Sequence, residues 1–237
     1  NKRRLFQTHE TITMKSFWAP ILIILWKDLL IEFRTKDILI SVLVFALLVI
    51  VLFNFAITPT PQILATVIPG MLWIAIVFGG VLGLSRIVST ETIHDNIHGL
   101  MLAPIDRDII FFGKTLSIFL FMLIVELVIF PVNSILFNLP IVTIELIPIA
   151  ILATLGIATV GTLMSLMAAN TRSLEMMLPL LFLPVIAPLL IGAVEASSSA
   201  MNIGVGHVSS PWISFLGIFD AIFLVICPIA FNIIVQE

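Results

Sequence analysis

The chain has 237 residues, of which 60% are apolar and only 11% charged, with a formal net charge of −3. A soluble domain keeps about a quarter of its residues charged, so most of this surface must face lipid, which excludes an ordinary soluble enzyme and leaves no expectation of a nucleic-acid partner. One cysteine, Cys227, lies inside an apolar run and excludes an internal disulfide framework or a cysteine-based metal cluster.

Residues 1–15 read as an N-terminal extension. The first residue is Asn1, and Met14-Lys15-Ser16-Phe17-Trp18 forms a plausible start. The apolar stretch from Phe17 to Trp26 runs into Lys27-Asp28 without a small-residue cleavage site, so a cleaved signal peptide is not expected. Residues 16–37 are expected to form an amphipathic interfacial helix. Leu22, Leu25, Trp26, Leu29, Leu30 and Phe33 recur at helical spacing, with Lys27, Asp28, Glu32 and Lys36 mainly between them. With Trp18 and Trp26 as anchors, this helix should lie on membrane lipid at the cytoplasmic surface. The alternative is a soluble amphipathic helix packed on another subunit.

Residues 38–237 read as a domain of six transmembrane helices, because a span needs about 20 mainly apolar residues to cross roughly 30 Å of hydrocarbon. The expected spans are about Ile38–Ile57, Ile63–Val88, Ile109–Phe137, Leu146–Ala169, Leu174–Val194 and Trp212–Val235. The fold class is therefore an all-α polytopic membrane protein. Basic residues set its orientation, since Lys and Arg near span ends stay on the cytoplasmic side. Seven precede the first span, three (Arg86, Arg107 and Lys114) flank the second-to-third connection, and Arg172 lies in the fourth-to-fifth. Those account for all eleven, and the alternate loops at about 58–62, 138–145 and 195–211 have none. Both termini are expected in the cytoplasm.

Few residues suggest chemistry. Gly113-Lys114-Thr115 resembles the end of a phosphate-binding loop, but Asp108 occupies the place of the glycine five residues earlier, and the segment enters a span. His94 and His98 are four apart and could share a helical face, as metal ligands do. No third ligand is convincing, and a solvated polar helix is the simpler reading. His207, in the Ser/Gly-rich outer loop, has the chemistry of an axial haem ligand; a plain loop histidine is the simpler reading. Glu126 and Asp220 are ionisable groups at membrane depth, each costing on the order of 3 kcal/mol there, so they are expected to line a pathway or join helices. The bland alternative is that Asp220 is protonated or near an interface.

Pro69, Gly70, Trp73, Pro179, Pro184 and Pro188 are candidate kink and packing positions. The three prolines of the fifth span predict an irregular helix, either a gate or a static kink. The longest cytoplasmic connection, about 86–112, carries Glu91, His94, His98, Leu100, Met101, Leu102, Pro104, Asp106 and Arg107. Its apolar trio Leu100-Met101-Leu102 asks for a partner surface, or else folds back on the membrane. Asn170, Arg172 and Glu175 mark the other cytoplasmic connection.

The order Gly99-Leu100-Met101-Leu102-Ala103-Pro104-Ile105-Asp106-Arg107, then Gly113-Lys114 entering a span, resembles the coupling-loop region of ABC-2-type export permeases. The closer resemblance is to the haem exporter protein B family of cytochrome c maturation. It extends to Pro69-Gly70-Met71-Leu72-Trp73 with Gly83-Leu84-Ser85-Arg86, Glu126-Leu127-Val128, Asn170-Thr171-Arg172 with Leu178-Pro179-Leu180, and Phe219-Asp220 with Ile222-Phe223. Where that family carries a more acidic, arginine-containing run, this chain has Thr90-Glu91-Thr92-Ile93-His94-Asp95-Asn96. The resemblance implies a permease subunit in a plasma (inner) membrane, with no catalytic site of its own. An ABC ATPase subunit would bind the cytoplasmic loop, haem-handling membrane subunits would bind beside it, and ATP would act only through the ATPase. Haem would be a substrate and not a covalently held cofactor. The readings left open are an ABC-2 exporter of lipid, polysaccharide or drug, an autonomous proton-coupled carrier built on Glu126 and Asp220, and, least favoured, an intramembrane enzyme.

Overall fold

A computed structural model gives the architecture. It describes the backbone of residues 2–56, 61–93, 106–137, 144–169, 174–201 and 210–234, and the side chains of 18–56, 67–85, 106–137, 144–167, 178–201 and 211–233. Among these residues the regular structure is entirely helical. The helices are α1 (Lys2–Thr35), α2 (Asp37–Ala56), α3 (Pro61–Ile93), α4 (Arg107–Phe137), α5 (Leu146–Ala169), α6 (Leu174–Met201) and α7 (Ser210–Ile234). Six of them, α2 to α7, are long and apolar enough to cross a bilayer. The chain is a multi-pass membrane protein.

Two spans form the interior. α5 packs against α3, α4, α6 and α7, while α2 closes the other side of α3 and also touches α4. The shared core joins Leu72, Trp73 and Ile76 of α3 to Ala153 and Ile157 of α5 and to Phe182, Ile186 and Leu189 of α6. The outer helices turn apolar faces away from the bundle. Ile40, Val44, Leu48 and Leu52 of α2 recur every four residues, as do Ile218, Ile222 and Ile226 of α7, and all are exposed. In a bilayer such faces meet lipid, which solvates them as well as a protein core would.

Close approach in membranes depends on small residues. At Gly156 of α5, an added Cβ would sit 2.6 Å from Asp220 Oδ1 and 2.8 Å from Leu189 Cδ2, so only glycine lets α6 and α7 both lie this near. Gly70 differs from expectation. A Cβ there would meet nothing within 4 Å, so it is not a packing glycine.

The corner between α1 and α2 is built locally. Lys36 takes φ 60°, a left-handed conformation that ends α1 and redirects the chain into the first span. Glu32 Oε1 accepts the Leu39 N–H at 2.7 Å, capping the exposed amides at the start of α2. Burial pushes the Glu32 carboxyl above its ordinary range, and the Leu39 amide works against that shift.

Two element boundaries differ from expectation. α6 continues to Met201, seven residues past Val194, so Ala196, Ser197 and Ala200 lie buried on a helix and not in an outer loop. Serine weakens a helix only where its hydroxyl competes for the backbone in solvent; here small side chains instead let α6 lie close to its neighbours. Pro179, Pro184 and Pro188 lie within α6, which continues through all three, and the latter two face outward. A proline ring on the lipid side leaves the interior packing of the helix intact. Finally, the connection expected at about 86–112 is partly helical, because α3 continues to Ile93 and α4 begins at Arg107. Polar residues such as Glu91 simply extend α3 beyond its apolar section.

Candidate functional site

The structure presents two polar regions, one at the end of the bundle where α4 begins and one within the spans. The first begins with α1. Leu22, Trp26, Leu30 and Phe33 of its greasy stripe are exposed, and the face turned to the bundle is Ile21, Ile24 and Asp28. Ile24 lies over Gly113 of α4, within 3.1 Å of where a Cβ would be. One turn further along α1, Asp28 Oδ2 pairs with Lys114 Nζ at 3.1 Å, and Lys114 is only 5% exposed. This pair leaves no pattern in the sequence, since its members are far apart and each sits in a segment read for other reasons. α1 thus presents one side to this chain and turns the opposite, apolar side outward.

The start of α4 is held on a second side by α7. Asn232 Nδ2 donates to Asp108 Oδ1 at 2.5 Å, and Arg107 donates from its guanidinium to the Asn232 carbonyl at 3.5 Å. Phe111, Phe231, Leu163 and Cys227 form a small apolar cluster beneath these contacts, with the Phe111 and Phe231 rings 5.8 Å apart. Gly113-Lys114-Thr115 is continuous helix, so its backbone amides are committed to α4 and not free to cradle phosphate. Asp106 is exposed at the mouth of the connection. His94, His98, Leu100, Met101, Leu102 and Pro104 lie outside the described residues, as do Asn170, Arg172 and His207. Glu91 and Glu175 are placed by their backbone alone, at the end of α3 and the start of α6.

The second region lies in the half of the bundle away from the start of α4. Glu126 is eleven residues before the end of α4, Thr154 eight after the start of α5 and Asp220 ten after the start of α7. At about 1.5 Å per residue these positions fall roughly 12–17 Å from the helix ends on that side, so they share about one depth in the bundle. The Thr154 hydroxyl donates to Glu126 Oε1. Asp220 approaches α5 at Gly156, two residues from Thr154 and therefore on a different side of that helix. The two carboxyls consequently flank α5. Each is at most 3% exposed. Glu126 Oε2, both Asp220 oxygens and both polar atoms of Asn133 are buried without a hydrogen-bond partner among the described residues.

In the same half of the bundle, Trp73 Nε1 donates to Ser197 Oγ at 2.9 Å, joining α3 to α6 in the core. Ser197→Ala would strand the indole N–H in an apolar setting. Hydrogen bonds between membrane helices contribute about 0.6–1.7 kcal/mol, so the purified variant should unfold at a modestly lower temperature in detergent, whereas Ser198→Ala, outside this pair, is the control. Equal melting temperatures for Ser197→Ala and the parent would mean the bond contributes nothing. Trp73 is the one aromatic candidate found both fully buried and hydrogen-bonded. Pro69 is buried beside it on α3. Thr154 and Ser197, partners of two sequence-selected residues, had no signal of their own: a threonine or serine in a span is common, and only the neighbouring helix reveals its role.

Relatives extend over this whole architecture. The family model for CcmB protein matches residues 19–236. Heme exporter protein B of Pseudomonas aeruginosa is 28% identical over 215 residues, covering 88% of this chain and 92% of that protein. Heme exporter protein B of Haemophilus influenzae is 26% identical over 185 residues, covering 77% of this chain and 84% of that one. The protein of that name from Escherichia coli K12 is 31% identical over a shorter stretch of 90 residues, 38% of this chain and 41% of its own. The match takes in the surface helix from residue 19, both polar regions and all six spans, and the chain belongs to the CcmB protein family.

Proposed function

We propose that this chain is the permease subunit of a membrane complex that exports haem for cytochrome c maturation, with the energy supplied by a separate ATPase subunit. The observation that carries the reading is the family match from residue 19 to 236, which spans the bundle from its surface helix to its last span, among relatives named heme exporter protein B. The chain's own chemistry is compatible with that division of labour. Its Gly-Lys-Thr sequence is helical and buried, so nucleotide chemistry belongs to a partner. The connection between α3 and α4 leads into a helix start braced by both α1 and α7, a geometry suited to receiving a push from an ATPase on the cytoplasmic side. The distribution of Lys and Arg supports cytoplasmic termini in an inner membrane. Hydrolysis would bias the bundle between two arrangements by binding one of them better. Haem is assigned here as substrate, and further haem-handling membrane subunits as lateral partners.

The test is a mild-detergent purification of the tagged protein, followed by mass spectrometry and a haem absorption spectrum. Recovery of an ABC ATPase with haem-handling membrane proteins is the expected result. Leu100→Asp should then cut ATPase recovery at least tenfold while membrane insertion is unchanged. An ATPase without haem-linked proteins would point to export of another substrate, and nucleotide-independent transport in liposomes would sink the ATPase-driven reading.

A further inference from the structure

Lys114 is the feature that neither span formation nor a transport path explains. It is a cation inside a membrane-spanning helix, seven residues from the start of α4 and 5% exposed. Its partner, Asp28, belongs to a helix that has no need of the bundle to satisfy its apolar stripe, because that stripe points the other way. α1 meets the bundle almost wholly through α4. The apolar part of the contact, Ile21 and Ile24 against the Gly113 region, has little power to select one register: at the edge of a bilayer, lipid offers apolar side chains much the same environment. An ion pair is different. Displacing α1 by a turn would take Asp28 away from the buried Lys114 ammonium, and separating a desolvated charge from its counter-ion is costly, so the pair favours one register over its neighbours. The nearby Lys27–Asp28 contact, also 3.1 Å, cannot do this. It joins adjacent residues of one helix, and Lys27 is well exposed.

From this geometry we propose that Lys114 is a positioning residue: its pair with Asp28 locks the surface helix α1 to the cytoplasmic end of α4, so that the two move as one body. The consequence for transport rests on the function proposed above. Segment 94–105 leads straight into this body, and Arg107 and Asp108 tie the same helix start to Asn232 of α7. A push on the segment therefore shifts α4, carries α1 along the membrane surface and pulls on α7. Without the pair, α4 still receives the push but α1 no longer follows.

Two measurements test this. In a Cys227→Ser background, Leu22→Cys on α1 and Asp106→Cys at the mouth of α4, both exposed positions, carry spin labels for pulsed distance measurement in lipid nanodiscs. The parent should give one narrow distance distribution, and Lys114→Met one at least twice as wide. Lys114→Arg and the exchange Asp28→Lys with Lys114→Asp should restore the narrow one. An unchanged distribution in Lys114→Met overturns the proposal, and this arm needs no ATPase or haem. If Lys114→Met fails to insert, Asp28→Asn, outside the spans, is measured in its place with the same expectation. The second measurement is mature c-type cytochrome formed per inserted molecule in cells lacking their own copy of this subunit. Lys114→Met should lower it at least tenfold at equal ATPase recovery, with rescue by the charge exchange. Output that merely follows membrane level would reduce the pair to a structural contact and overturn the positioning role. If the parent supports no cytochrome maturation, the function proposed above fails, and the distance measurement alone decides the inference.

Discussion

Gly156→Leu should prevent the bundle from closing. A Cβ at this position falls 2.6 Å from the Asp220 carboxylate and 2.8 Å from Leu189, and leucine places three more carbons beyond it. Neither neighbour has room to withdraw, since Leu189 is fully buried and Asp220 is 3% exposed. α5 is held by four other helices, so it cannot yield on one side without losing contact on another. Overpacking a filled core costs about 1–3 kcal/mol for modest insertions, and this one strikes two helices at once. The expected result is a loss of at least 3 kcal/mol by that scale, seen as little monodisperse protein after detergent extraction. Gly156→Ala adds one methyl against two side-chain ends and should fall between leucine and the parent. Asp220→Ala combined with Gly156→Ala should recover part of the loss, because it removes the nearer obstacle and leaves Leu189. Gly70→Ala is the contrasting case: with nothing within 4 Å, it should be neutral or stabilise by up to about 1 kcal/mol through helix propensity. A Gly156→Leu protein that purifies and melts like the parent would contradict the close approach of α6 and α7 to α5.

The sequence announces the spans because each must be satisfied internally and each is apolar for about 20 residues. The fourth expected span, Leu146–Ala169, has the same bounds as α5. Legibility fails where a helix end lacks a change of solvent. Ala196-Ser197-Ser198-Ser199 reads as loop from its composition, yet Ser197 is needed inside the bundle by Trp73. It also fails where two stripes compete for one helix. In α1 the longer apolar stripe dominates the pattern but faces outward, and the docking face is a short Ile21-Ile24-Asp28 row whose meaning depends on Lys114. Pairings between distant segments, Glu126 with Thr154 and Asp28 with Lys114, carry no periodic trace at all. Of the membrane carboxyls the sequence shows presence and approximate depth; that they flank α5 on two sides, and that Gly156 makes room for one of them, follows only from packing.

Glu126→Leu should leave the protein inserted and folded while abolishing transport. The balance of magnitudes motivates this expectation. An acidic group deep in a span costs about 2.5–3.5 kcal/mol on insertion scales, and one hydrogen bond between membrane helices returns about 0.6–1.7. Thr154 supplies one such bond, and the second carboxyl oxygen has no partner among the described residues. Glu126 is therefore a net cost to the fold. Leucine fills a similar volume and removes that cost, and the freed Thr154 hydroxyl can turn to the carbonyl four residues back on its own helix, as Thr159 and Thr162 do. Stability should be equal or higher by about 1–2 kcal/mol, within the same estimates. A side chain that costs the fold stability is expected to act in function, so cytochrome c output per inserted molecule should fall at least tenfold. Glu126→Gln keeps an acceptor for Thr154 but loses the ionisable group. If Gln supports output near the parent's while Leu does not, the hydrogen bond to α5 is what transport needs. If both are inactive, the exchangeable proton or charge is required. A Glu126→Leu protein that is both stable and active would make the carboxyl dispensable and remove it from the transport mechanism.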